Sequence, residues 1–222
     1  MPAGGGLITL VSRLAADRAP GNGPAPLLLP LDLLLTPEQF ERVCAANPEA
    51  VLELDGDGRL IVMTPAGGET SLRNAQLLFQ LERFAKASGE WKGFDSSTGF
   101  RLPDGSVLSP DASLVRLERW QALTPEQRRG FAPLCPDLVV ELVSPRQAPG
   151  GDGPRAAEAL RRKMALYQAN GARLGWLLLP EERAVEIWRA SGPPRRLEPA
   201  EELEGGREFP GLQVDLAEIW SV

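Results

Sequence analysis

The sequence predicts an α/β fold with a mixed central β-sheet flanked by helices. Three observations carry this expectation. Short runs rich in Val, Leu and Ile alternate with segments of helical periodicity along one chain. Hairpin turns join some of these runs, which implies antiparallel pairs within the sheet. One run, Leu138 to Val143, is almost wholly apolar and is closed by Pro136 and Pro145, as befits a strand covered on both faces.

Taken in order, residues 1–30 are rich in Gly and Pro and read as a flexible leader, followed by a single domain over 31–222. The leader has no basic start and Arg13 interrupts its apolar segment, so a secretory signal is not expected. Thr36-Pro37-Glu38 opens a helix, with Thr as cap, Pro in the first turn and an acid at the positive end of the dipole. That helix ends near Asn47-Pro48. Val51 to Leu54 and Arg59 to Met63 flank Asp55-Gly56-Asp57-Gly58, a hairpin turn that lacks the length and closing Glu of a calcium loop. Glu69 to Ser88 reads as a long helix with Leu72, Ala75, Leu78, Phe79 and Leu81 on its apolar side.

Strands are expected around Phe94, over Gly99 to Leu102, and over Val107 to Val115, the last of these containing Asp111. Leu117 to Leu123 is helical in pattern, and Thr124-Pro125-Glu126 caps a further short helix ahead of the Leu138 strand. A Gly-rich loop, Ala148 to Pro154, leads to a helix from Arg155 to Ala169 that stops at Asn170-Gly171. Leu174 to Leu179 and Ala184 to Arg189 are strands, and Phe209 to Trp220 adds a short strand and turn.

Composition removes several function classes. There is no histidine, which excludes Ser-His-Asp and Cys-His catalysis and His-ligated zinc. Carboxylates, lysines and an oxygen-bound hard metal remain. Two cysteines, Cys44 and Cys135, are too few for a disulfide framework and point to a reduced, cytoplasmic setting as small packed side chains. No apolar run approaches the roughly 18–20 residues of a membrane span. A net charge of −6 gives no global pull on nucleic acid, so any such binding must use a local basic patch.

Glu141 is the chemical anomaly, a carboxylate in the middle of an apolar strand. An ionised acid there costs several kcal/mol unless it is paired, protonated or bound to a metal. Asp111 lies in another expected strand, with enough chain between for the two strands to be neighbours. Two carboxylates on adjacent strands suit Mg²⁺ or Mn²⁺. On composition alone the same residues fit at least as well an Asp that caps a turn and a Glu paired with an arginine.

Several motifs stand in a telling order: Leu52-Glu53-Leu54-Asp55-Gly56, Gly67-Gly68-Glu69-Thr70, Arg73-Asn74, Ser97-Thr98-Gly99-Phe100, Leu108-Ser109-Pro110-Asp111-Ala112-Ser113, Cys135 to Pro145, Lys163 to Tyr167, and Gly175-Trp176. In these the chain, from Leu33 to Trp220, resembles the Uma-two family of the PD-(D/E)XK, restriction-endonuclease-like superfamily. The resemblance implies a restriction-endonuclease-like core and an endonuclease that hydrolyses DNA with Mg²⁺ or Mn²⁺. It also implies Asp111 and Glu141 as metal ligands, with the Leu142 carbonyl as a third. The superfamily lysine stands two residues after the Glu, where this chain has Val143; the family pattern places Lys163 in that role.

Glu53 and Glu69 match as accessory acids, and Arg73, Arg146 and Arg162 are candidate phosphate contacts. From Arg146 to Lys163 five basic residues face two acids, a local net of +3 in a chain of −6. Duplex DNA is the expected partner, with a homodimer by analogy to nucleases that cut both strands. The alternative, motivated by Val143, is a catalytically silent nuclease-like fold serving as a nucleic-acid-binding or assembly module. The five tryptophans read as core or interface residues rather than stacking platforms.

Overall fold

The computed structural model of the chain describes residues 7–9, 28–30, 33–63, 65–144 and 153–222. Residues 1–30 thus fall largely outside the described residues, apart from β1 (Leu7–Thr9) and β2 (Leu28–Pro30), which pair antiparallel. Then follow α1 (Pro37–Ala46), β3 (Leu52–Leu54), β4 (Leu60–Val62), α2 (Gly68–Ser88), β5 (Trp91–Asp95), β6 (Phe100–Arg101), β7 (Val107–Leu108) and β8 (Ala112–Arg116). The second half contains α3 (Leu117–Gln121), α4 (Pro125–Arg129), β9 (Leu138–Leu142), α5 (Gly153–Ala169), β10 (Leu174–Leu179), β11 (Ala184–Arg189), β12 (Arg195–Leu197), β13 (Glu202–Glu204), β14 (Gln213–Asp215) and α6 (Ala217–Trp220).

The main sheet has six strands in the order β12-β11-β10-β9-β8-β5. Only β9 and β10 pair in parallel; the other neighbours are antiparallel, so the sheet is mixed as expected. A parallel pair needs a crossover, and α5 supplies it. A smaller antiparallel sheet, β4-β3-β7-β6, carries the Asp-Gly hairpin. Its turn is closed by Asp55, whose Oδ1 accepts from the N–H groups of Asp57 and Arg59 at 2.9 and 2.8 Å. Both Thr-Pro caps close as capping boxes, Thr36 with Gln39 and Thr124 with Gln127.

Strand β9 is buried along its whole length and divides the core by side-chain alternation. Leu138, Val140 and Leu142 join Leu77 and Leu81 of α2 and the C-terminal residues Phe209, Val214 and Ile219. Val139 faces Met164 and Tyr167 of α5, with Val143 at the margin of the same cluster. Glu141 therefore points to the α5 side. Trp91, Trp176 and Trp188 are buried, in keeping with core roles.

Two sequence expectations are corrected. Val107 to Val115 is not one strand: it splits into β7 and β8, which belong to different sheets. Pro110 has no N–H for a ladder, and the chain crosses between sheets at Ser109-Pro110-Asp111. The apolar side of α2 is also rotated. Leu72 and Phe79 are 59% and 61% exposed, whereas Thr70, Arg73, Leu77, Gln80, Leu81 and Ala85 are buried. Arg73 and Gln80 are accepted inside because backbone groups of the C-terminal segment take their hydrogen bonds. Arg73 donates to the carbonyls of Ile219 (3.2 Å) and Val222 (2.8 Å). Gln80 donates to that of Asp215 (2.9 Å) and accepts from its N–H (2.7 Å).

Candidate active site

The antiparallel register of β8 and β9 pairs Ala112 with Val140. One step further along that register, Asp111 stands opposite Glu141, so the two side chains project on the same face. Asp111 is fixed on both oxygens: Oδ2 accepts the Leu142 N–H at 2.8 Å, and Oδ1 accepts Asn74 Nδ2 at 3.0 Å. Lys163, one turn before Tyr167 on α5, reaches down to the sheet. Its Nζ lies 2.9 Å from Glu141 Oε1, 2.8 Å from Glu53 Oε1 and 2.9 Å from the Ser109 carbonyl. Tyr167 donates its hydroxyl to Glu141 Oε1 at 3.3 Å. Glu53, from β3, also accepts the Ser109 N–H at 2.8 Å, which ties the small sheet to the crossing before Asp111.

These groups line one cleft of about 1410 Å³, with Glu53, Asp111, Glu141 and Lys163 inside and the exposed Met63 and Arg162 at its margin. Burial pushes the Glu141 carboxyl up to about 8. The Lys163 ammonium opposes that shift, while Asp111 and Glu53 reinforce it. Burial also raises Asp111. Burial works against the charge of Lys163, but Glu141 and Glu53 outweigh it and hold the ammonium above its usual range. Burial, then the charge of Glu141, raises Tyr167, so its hydroxyl stays a donor.

The structure brings together Asp111, Glu141, Lys163 and Glu53 and sets Leu142 beside Asp111. It does not bring Glu69 or Arg73 to the cleft. Glu69 is exposed and pairs with Arg73 at 3.5 Å, and the Arg73 guanidinium is occupied by the C-terminal carbonyls. Arg162 lines the cleft and pairs loosely with Glu158 at 3.8 Å. Arg146 lies outside the described residues, as does most of the loop from Ala148. The basic stretch is partly spent on structure: Arg161 forms a bidentate pair with Glu186, with contacts of 2.7 to 3.1 Å. Sequence reasoning missed Tyr167 as a partner of Glu141, although its spacing of four from Lys163 puts both on one helix face. Asn74, in the polar first two turns of α2, comes to the cleft through its bond to Asp111.

Among the described residues no three acidic or cysteine side chains are grouped to hold a metal unaided. The donors do fit a hard cation in another way. Asp111 and Glu141 offer oxygen only, and the backbone of Leu142 stands beside Asp111. Three carboxyl groups stand around one ammonium, and the proton that Glu141, raised to about 8, retains without metal is one that a divalent ion would displace.

The fold is of the restriction-endonuclease-like class. It is similar to the crystal structure of a "putative nuclease belonging to DUF820" from Anabaena variabilis, with a TM-score of 0.66 at 17% identity, covering 84% of this chain and 98% of that one. At that identity the likeness speaks for the fold. The Uma2 family model, described as "Putative restriction endonuclease", matches residues 37–217, and the chain belongs to that family. No curated protein matches it.

Proposed function

We propose that this family member is a Mg²⁺- or Mn²⁺-dependent endodeoxyribonuclease with Asp111, Glu141 and Lys163 as its catalytic residues. One observation carries the reading: a strand-end Asp, a mid-strand Glu and a helix Lys, distant in sequence, converge in one buried cluster at the base of a cleft. A divalent ion in such a site polarises a water and offsets charge on the phosphate.

The chain's own groups divide the remaining work. Asp111, Glu141 and the Leu142 carbonyl would hold the ion. The Lys163 ammonium stays charged and serves as a fixed donor, either to the attacking water or to a non-bridging phosphate oxygen, rather than as a base. Glu53 neutralises Lys163 from the far side, so that Glu141 does not carry that charge alone. Arg162, on the lining of the cleft, would contact a neighbouring phosphate. Water attacks phosphorus, the bond from phosphorus to the leaving oxygen breaks, and the products are a phosphate monoester and a hydroxyl. Cutting both strands of a duplex calls for two such sites, and the proposal includes a homodimer for that reason.

Lys163 also supports the enzyme over a silent module, because it supplies the ammonium that Val143 lacks. The test is cleavage of supercoiled plasmid by purified protein with Mn²⁺ or Mg²⁺. Nicked or linear product is expected from the wild type, with a loss of about 10²-fold or more in Asp111→Ala and Lys163→Ala. Activity that survives both substitutions rules the assignment out. DNA binding without any cleavage points to the silent module instead.

A further inference from the structure

We infer that Asn74 is a positioning residue of this site. Its amide nitrogen holds Asp111 in the orientation in which that carboxylate would bind the divalent ion. The inference rests on the metal-centre reading of Asp111 and Glu141.

Asp111 accepts from the Leu142 N–H on one oxygen and from Asn74 Nδ2, 3.0 Å away, on the other. A carboxylate oxygen takes a donor, so the amide nitrogen of Asn74 must face Asp111 and Oδ1 must point away from it. That Oδ1 is buried and has no hydrogen-bond partner. Three other buried side-chain atoms share that state, on Ser113, Trp176 and Trp188, but Asn74 alone of the four residues lines the cleft.

An acceptor buried without a partner is expensive, about 1–3 kcal/mol. Leucine has nearly the same shape and would avoid that cost, so the amide is accounted for by what its nitrogen does for Asp111: it donates to Oδ1 and fixes the carboxylate. A second carboxylate at this position would add charge to an already acidic cluster; a neutral amide orients Asp111 without doing so.

The experiment is a calorimetric Mn²⁺ titration of the full chain as wild type, Asn74→Leu, Asn74→Ala and Asp111→Ala, with melting temperatures of the metal-free proteins alongside. The expected result is a 10–100-fold loss of Mn²⁺ affinity in both Asn74 variants, as for other residues that orient metal ligands. Metal-free melting is expected to stay close to wild type, and turnover to fall with the KM for DNA unchanged. The alanine variant keeps the test open should the leucine variant fail to fold. A folded Asn74 variant that binds Mn²⁺ within about twofold of wild type, while Asp111→Ala loses binding, overturns the role of Asn74 and leaves the metal centre standing. If the wild type takes up neither Mn²⁺ nor Mg²⁺, or Asp111→Ala binds as well as the wild type, the metal centre itself falls and this inference with it.

Discussion

At Glu141, burial works against ionisation while Lys163 works for it, and Asp111 and Glu53 add their charge to the side of burial. The carboxyl settles at about 8, well above its ordinary 4.5. A metal ligand must be deprotonated, so binding below that point expels a proton. Mn²⁺ affinity is therefore expected to rise about tenfold per pH unit between pH 6 and 8 and then level off, which calorimetry at several pH values reads directly. Without metal the folded chain holds a proton that the unfolded chain has released. The contribution of Glu141 to stability is then present below 4.5 and is lost as the pH rises through about 8. The acid itself was legible in the sequence because a carboxylate inside an apolar strand needs a partner, whether a cation or a metal. Its partners were less so. Lys163 and Glu53 are 110 residues apart, and no local pattern announces that they meet at 2.8 Å.

At the scale of the element, α5 is the part that makes a site out of a sheet. It must lie close to β10 for Lys163 to reach Glu141, and Gly175 provides the room. A Cβ at Gly175 would sit 2.4 Å from Met164 Cε, 3.3 Å from Val139 Cγ2 and 3.4 Å from Trp188 Cβ. The methionine can move, but the other two leave it little space. Gly175→Ala is expected to cost about 1–3 kcal/mol in a denaturant melt and to lower cleavage by tilting α5. The boundaries of this helix and of β10 and β11 follow from periodicity and from Asn170-Gly171, so they could be read in advance. Which face of α2 is inside could not be. Leu77 and Leu81 lie inside, but Leu72 and Phe79 lie outside, and polar Arg73 and Gln80 lie inside because their partners are backbone groups more than 130 residues away. Periodicity counts apolar side chains and is blind to such partners.

At the scale of the whole molecule, Arg73 and Gln80 fasten α2 to the C-terminal segment, whose Phe209, Val214 and Ile219 complete the core on that side of the sheet. Arg73→Leu removes the guanidinium from two backbone carbonyls. It is expected to destabilise the fold by about 2–3 kcal/mol, measured by denaturant unfolding, while DNA affinity stays unchanged at a temperature where the variant is folded. An arginine acting on phosphate would show the reverse, with weaker DNA binding and little change in stability.

By itself the sequence determined the kinds of element and their order, the turn chemistry, the missing histidine chemistry and two acids, Glu141 within an apolar strand and Asp111 behind a proline, that need partners. Those are local properties, set by backbone preference, side-chain alternation and the cost of burying charge. The tertiary structure decided what those acids meet. The register of β8 against β9, which pairs Ala112 with Val140, brings Asp111 to the end of β9 that carries Glu141. The crossover through α5 brings Lys163 over them, and the small sheet delivers Glu53 behind it. The physical reason is that a hydrogen bond or ion pair depends on separation in space, which only the packed chain defines.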